Sequence, residues 1–150
     1  MTDRANPFRL PGSKTDVEAG LALTPKFDGG LLAAIATDAD TGEALMLAWM
    51  NAEALALSIE TGEAHFFSRS RNRIWRKGED SGNTLTIVEM RTDCDQDAIW
   101  LRVRMNGQQA ACHTGHRTCF YRRIETGLGK SETAALIATN VPRIFDPRRP

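Results

Sequence analysis

Three carboxylates and a thiol occupy five consecutive positions in Asp93-Cys94-Asp95-Gln96-Asp97. The two remaining cysteines follow in Cys112-His113-Thr114-Gly115-His116-Arg117-Thr118-Cys119. Thiolate is a soft ligand that selects zinc among the common metals, whereas carboxylate suits magnesium or calcium. Three protein ligands with an open position mark catalytic zinc, and four mark a structural site. The cysteines stop at three, and His113 and His116 each stand where a fourth ligand could come from, so the count leaves both kinds of site open. No Cys-x-x-Cys pair is present, so no ordinary zinc-finger template applies. If the chain is extended here, Asp93, Asp95 and Asp97 project from one face of a strand and Cys94 from the other. Like charges so arranged repel, and a bound cation would relieve them. A calcium hand is excluded, because the glycine and glutamate it requires are Ala98 and Arg104 in this chain.

A second set of chemistry-bearing residues lies upstream. Ser68-Arg69-Ser70-Arg71-Asn72-Arg73-Ile74-Trp75-Arg76-Lys77-Gly78 concentrates cations in a chain whose formal net charge is zero. Alternation along a strand would place Arg69, Arg71, Arg73 and Trp75 on one face and Ser68, Ser70 and Arg76 on the other. Guanidinium forks, hydroxyls and a glycine turn suit a phosphate-bearing small molecule. A solvated edge strand would carry the same charges. His65, at the start of this strand, reads as structural.

The totals bound the answer. A chain of 150 residues with 41% hydrophobic and 25% charged content is one globular domain with a packed core. Zero net charge argues against nucleic acid and anionic membranes as partners. No apolar run reaches the roughly 18 residues of a spanning helix, and the N-terminus carries no apolar signal region. An odd cysteine count without a secretory signal points to the reducing cytosol, where clustered cysteines serve metal or catalysis.

The elements that must position these groups are β-rich. Apolar runs at 31–37 and 44–50 flank Asp38-Ala39-Asp40-Thr41-Gly42, which predicts a hairpin covered on both faces, with Asp38 and Asp40 as turn residues. Asn51 as N-cap and Gly62 as C′ residue bound a short helix near 52–60, with Leu55 and Ile59 on one face. Residues 84–92 form a strand. Ile99, Leu101, Val103 and Met105 alternate with Trp100, Arg102 and Arg104 in another, and Asn106-Gly107 predicts a two-residue hairpin returning through 108–111 into Cys112. The arm, residues 1–26, is irregular, with a helical turn near 15–22, and packs on the domain or on a partner chain. Downstream, Ser131-Glu132-Thr133 caps a short helix through Ala138, and Pro142, Pro147 and Pro150 mark a loose tail. The fold class is α+β.

The hairpin has a consequence for the metal. It sets Cys112 opposite Leu101, and the extended stretch from Cys94 to Leu101 spans roughly 23 Å. Two thiolates on one zinc lie within about 4 Å. Either the chain folds back sharply at Asp97-Ala98, or Cys94 belongs to a zinc completed across a two-fold dimer interface, which the reading favours.

Together these segments resemble the phosphoribosyl-AMP cyclohydrolases of histidine biosynthesis. The resemblance rests on Leu45-Met46-Leu47-Ala48-Trp49-Met50-Asn51, Ser68-Arg69-Ser70-Arg71, Trp75-Arg76-Lys77-Gly78-Glu79, Ser81-Gly82, Asp93-Cys94-Asp95-Gln96-Asp97-Ala98 and Cys112-His113-Thr114-Gly115 through Cys119-Phe120, over about residues 27–122. It implies a compact β-rich domain of mostly antiparallel hairpins in an intertwined, cytoplasmic homodimer. It further implies zinc on Cys94, Cys112 and Cys119, shared between subunits, and magnesium on Asp93, Asp95 and Asp97. The implied reaction is hydrolytic opening of the purine ring of 1-(5-phosphoribosyl)-AMP between N1 and C6. Within it, His113 and then His116 are the candidate acid/base residues. Ser68, Arg69, Ser70, Arg71, Trp75 and Lys77 are the candidate substrate contacts. The chain departs from the usual pattern at Thr37, where Gln is expected, and at Trp49, where Tyr is commoner. The short stretch after Phe120 suits the monofunctional form, giving an arm at 1–26, a cyclohydrolase domain at 27–122 and an extension at 123–150. Two rivals make other predictions: a different zinc-dependent nucleotide hydrolase or deaminase, and a non-enzymatic phosphate-ligand module with structural zinc.

Overall fold

The structure, a computed structural model, describes residues 6–149. Residues 1–5 of the expected arm and Pro150 of the expected tail lie outside it. The fold is α+β. A four-stranded sheet of order β2-β1-β6-β5 is built from β1 (Leu32–Asp38), β2 (Ala44–Met50), β5 (Leu85–Thr92) and β6 (Ala98–Met105). A second hairpin, β3 (His65–Ser68) and β4 (Arg73–Arg76), packs beside α2 (Ala52–Thr61).

Strand β6 is the centre of the sheet. Its alternation is as the sequence demands: Ile99, Leu101, Val103 and Met105 are buried. The opposite face carries Trp100, Arg102 and Arg104. One edge of β6 pairs antiparallel with β5, the other parallel with β1. This occupancy explains why the return strand at 108–111 does not form. Asn106-Gly107 does turn the chain, but β6 has no free edge. The Asn106 amide instead donates to Thr84 O at 3.0 Å, and the Gln108 amide to the Asn83 side chain at 2.8 Å.

The β1–β2 hairpin forms as expected, with Asp38 Oδ1 accepting from the amides of Asp40 and Thr41 at 2.8 and 3.1 Å. Only one face of it is fully covered. Leu32, Ala34 and Ala36 are buried, whereas Leu47 is 51% exposed. Helix α2 has the expected caps. Asn51 accepts from the Ala54 amide at 2.8 Å, and Gly62 closes the other end at φ 72°. Leu55 is buried, but Ile59 points outward.

The described parts of both extensions, residues 6–26 and 123–149, make hydrogen bonds to the domain. Helix α1 (Lys14–Ala19) in the arm has a capping box between Ser13 and Asp16. Downstream, Ser131–Thr133 makes only a 3-10 turn. Beyond Ala134 the chain runs extended as β8 (Leu136–Ala138) against β7 (Arg122–Ile124), which replaces the expected helix. The tail is not loose. It returns to the cysteine loop, with Arg117 donating to Pro142 O at 3.1 Å and Ile144 to Gly115 O at 2.7 Å. Among the described residues no helix is long and apolar enough to cross a membrane.

Candidate functional site

Asp93-Cys94-Asp95-Gln96-Asp97 is the turn of the β5–β6 hairpin, not an extended strand with two faces. Thr92 pairs with Ile99, so the chain must reverse within these residues. Gln96 makes the reversal possible by adopting φ 59°. Asp93 then caps the turn from inside: its Oδ1 accepts from the amides of Asp97 and Ala98 at 3.0 and 3.1 Å. Carboxylate oxygens of Asp93, Asp95 and Asp97 come within 4.8 Å of one another, the only such group of three possible metal ligands among the described residues. Hydrogen bonds and charge from Asp93 and Asp95 raise the Asp97 carboxyl to about 6. Burial pushes Asp93 up, but its bonds to Asp97 and to the turn amides outweigh that and hold it lowered. Hard oxygen donors crowded enough to share a proton fit a divalent cation such as magnesium, which would take the proton's place.

The cysteine loop is a tight turn closed by Gly115 donating to Cys112 O at 2.9 Å and Cys112 donating to His116 O at 3.2 Å. Arg117 ties it to the β1–β2 hairpin, and the Thr118 hydroxyl donates to Ala44 O at 2.7 Å. This brings Cys112 and Cys119 together. Cys119 is exposed as a residue, but the burial of its sulfur in the loop and the neighbouring Cys112 push its thiol up to about 12. Burial also raises Cys112, but hydrogen bonds from Thr114 and Cys119 and the charge of Lys77 outweigh it, so its thiol is lowered. Lys77 in turn is lowered by burial, against the opposing pull of both thiols. One acidic thiol, one reluctant thiol and an adjacent ammonium fit a soft metal that would take both sulfurs as thiolates. Cys94 is exposed on the carboxylate turn, and the three cysteines form no three-ligand group within the chain. The chain does fold back sharply at this turn, but the reversal does not bring Cys94 into one group with Cys112 and Cys119.

The basic segment is the β3–β4 hairpin, with residues 69–72 as its turn, so the single alternating strand does not form. The hairpin lines an open groove of about 790 Å³ with Ser68, Arg69, Ser70, Arg71 and Trp75, and Trp49 faces them. Arg69 lies over the Trp49 ring, 4.9 Å from its centroid. Trp75 packs 5.2 Å from Phe66, which anchors it to the core. Lys77 is not on this groove; it stands beside the thiols. Two smaller grooves share walls with the first. One contains Trp49, Arg69 and Asp97, the other Arg71, Trp75 and His113.

The histidines separate by surroundings. His113 is exposed on the third groove. His116 has its Nδ1 2.8 Å from Thr114 Oγ1, and its ring stacks on Tyr121 with centroids 3.6 Å apart. His65 is structural, its Nδ1 2.9 Å from Glu63 O and its amide donating to Ser58. Sequence reasoning missed Thr114, Arg117, Tyr121 and Gln96. Thr114 and Arg117 both lie between Cys112 and Cys119; the Thr114 contacts with Cys112 and His116 depend on side-chain geometry, and the Arg117 partners Asp38 and Glu43 are far upstream.

Residues 46–121 match the family model described as phosphoribosyl-AMP cyclohydrolase. A protein of Sinorhizobium fredii with that name is 58% identical over 135 residues, covering 89% of this chain and 87% of its own length. The Caulobacter vibrioides protein of the same name is 59% identical over 122 residues, covering 81% and 88%. That of Rhodopseudomonas palustris is 50% identical over 148 residues, covering 98% and 96%. By family match and by identity along nearly its whole length, this chain belongs to the phosphoribosyl-AMP cyclohydrolases.

Proposed function

We propose that the chain opens the purine ring of 1-(5-phosphoribosyl)-AMP between N1 and C6, a step of L-histidine biosynthesis, as a metal-dependent hydrolase. The observation that carries this reading is the continuity of the grooves. Arg69 and Trp49 are common to the Asp97 groove and the central one, and Arg71 and Trp75 to the central one and the His113 groove. A nucleotide with a phosphate at each end matches a cleft with a carboxylate turn at one end and a thiol-flanked histidine at the other.

In this reading Arg69 and Arg71 grip phosphate through their forks, with Ser68 and Ser70 as further donors. Trp75 supplies a flat apolar wall for a base. Lys77 is assigned to the thiol pair, where its charge favours the thiolate form. Asp93, Asp95 and Asp97 would hold magnesium. Cys112 and Cys119 would hold zinc together with Cys94 from a second copy of the chain, which makes a homodimer part of the proposal. Zinc bound there would supply a Lewis acid that lowers the pKa of water toward about 7. His113 would carry the proton to the departing N1, and His116 is the second candidate for that role. The cytoplasm is the proposed location, in keeping with three unpaired cysteines.

The test is turnover of phosphoribosyl-AMP, followed by product absorbance with and without a chelator. Turnover that the chelator abolishes supports the proposal. No turnover in buffer replete in zinc and magnesium overturns it.

A further inference from the structure

Gln96 is neither a candidate ligand nor a groove residue, yet it sits between Asp95 and Asp97 with only 5% of its surface exposed. Its backbone lies at φ 59°, a region that residues with a Cβ rarely adopt and that persists only where the surroundings over-determine it. The side chain supplies that constraint. Its Oε1 accepts from the Thr24 amide at 2.8 Å, and its Nε2 donates to Val17 O at 3.1 Å and Ala22 O at 3.3 Å. The Gln96 carbonyl accepts from the Lys26 amide at 2.8 Å. All four partners belong to the arm before β1, outside the matched residues 46–121.

The consequences run in one direction. The arm holds Gln96, and Gln96 held left-handed reverses the chain. The Gln96 amide donates to Asp93 O at 3.1 Å, and Asp93 Oδ1 takes up the Asp97 and Ala98 amides. In this closed turn the three carboxylates come within 4.8 Å of one another. Their mutual repulsion works to open it, so something must oppose that repulsion before a cation arrives. Lys26, whose amide ends the clasp, shares the groove with Asp97.

We propose that Gln96 is a positioning residue that uses the N-terminal arm to lock the left-handed turn, so that Asp93, Asp95 and Asp97 converge on a divalent cation. This rests on the reading of the three carboxylates as a cation site.

The test uses the full-length, zinc-loaded protein with Mn²⁺ as probe, by calorimetry and electron paramagnetic resonance. Amide exchange is measured at Thr24 and Lys26. Two variants are compared with the parent. Gln96→Ala removes the clasp. Gln96→Glu keeps the acceptor for Thr24 but turns the donor toward Val17 and Ala22 into an oxygen, while adding a negative charge beside the site. Both are expected to weaken Mn²⁺ binding about tenfold or more, the scale of partners that orient metal ligands, and to speed exchange at Thr24 and Lys26. If Gln96→Glu tightens Mn²⁺ binding, charge and not positioning governs the turn, and the inference is overturned. It is also overturned if both variants bind Mn²⁺ within about twofold of the parent while the arm exchanges faster. Asp95→Asn separates the two readings: if the parent binds no Mn²⁺ that this substitution removes, the cation site itself fails.

Discussion

Arg117 donates to Asp38 Oδ2 at 3.0 Å while its Nε donates to Glu43 Oε1 at 2.8 Å, which fastens the cysteine loop to the β1–β2 turn. The Arg117 side chain is 24% exposed and that of Asp38 13%, so the pair is partly sheltered from solvent. Arg117→Ala is expected to cost about 1–3 kcal/mol, because it strips a charged donor from two carboxylates. Arg117→Lys should recover only part, since an ammonium presents no fork. Urea unfolding of both variants measures this. Burial raises Asp38, but the Asp40 and Thr41 amides and Arg117 outweigh it, so its pKa is lowered in the fold. A carboxylate lowered in this way adds stability that is fully present above its unfolded value near about 3.9 and is lost as pH falls through the folded one. Below about pH 4 the parent and Arg117→Ala should therefore converge in stability.

The separation of Cys94 from the other thiols gives the proposal of a shared zinc site a decisive test. Cys94→Ala and Cys112→Ala proteins should each lose zinc and activity. Refolded together, they form mixed dimers in which one site receives both substitutions and the other neither. About a quarter of parental activity should return, since half the dimers are mixed and half their sites intact. Zinc content should recover in proportion. A mixture as inactive as its components would show that each chain builds its own site.

The crowded carboxylates make cation binding depend on pH. Asp97 keeps a proton up to about 6 because Asp93 and Asp95 bond to it and repel its charge. A cation must displace that proton, so Mg²⁺ affinity should fall as pH drops through about 6, with proton release on binding near that pH. The stability sign is opposite to that of Asp38. A raised carboxyl stabilises the metal-free fold below its unfolded pKa near about 3.9, and that contribution is lost as pH rises through the folded value. Melting curves in chelator should decline from pH 4 to about 6, and added Mg²⁺ should cancel the decline. An identical pH profile with and without Mg²⁺ would rule out a cation at this turn.

What the sequence revealed was what local pattern controls. The caps of α2 at Asn51 and Gly62, the β1–β2 hairpin and the alternation in β6 depend on residues a few positions apart. The parallel pairing of β1 with β6 does not, and it is what denied Asn106-Gly107 its return strand. The same holds within the site. The types in Asp93-Cys94-Asp95-Gln96-Asp97 made them candidate ligands, but the shape of the turn depends on Thr24, Val17 and Ala22, far upstream. Likewise Gly115 approaches Phe145 too closely for any Cβ, a contact that joins the cysteine loop to a tail with no periodicity of its own.

The two histidines of the cysteine loop can be told apart by measurement. Thr114 Oγ1 donates to Cys112 Sγ at 3.0 Å and lies 2.8 Å from His116 Nδ1. A single hydroxyl proton cannot serve both, so with it on sulfur the His116 Nδ1–H is the donor to Thr114. Burial and the charges of Arg143 and Arg122 lower the His116 pKa, which favours the neutral ring with its hydrogen on Nδ1. His116 thus supports the thiolate through Thr114, whereas His113 faces the groove with Arg71 and Trp75. His113→Ala should retain zinc and lose about 10²–10⁴ in kcat, the usual contribution of a positioned acid or base. His116→Ala should instead weaken zinc binding about tenfold, as loss of an outer partner of a ligand does, with kcat largely preserved once zinc is saturating. Zinc content by metal analysis, paired with kcat at saturating zinc, separates the two effects. If His116→Ala abolished turnover with zinc intact while His113→Ala turned over normally, the proton would travel through His116, and the Thr114 chain would be its path.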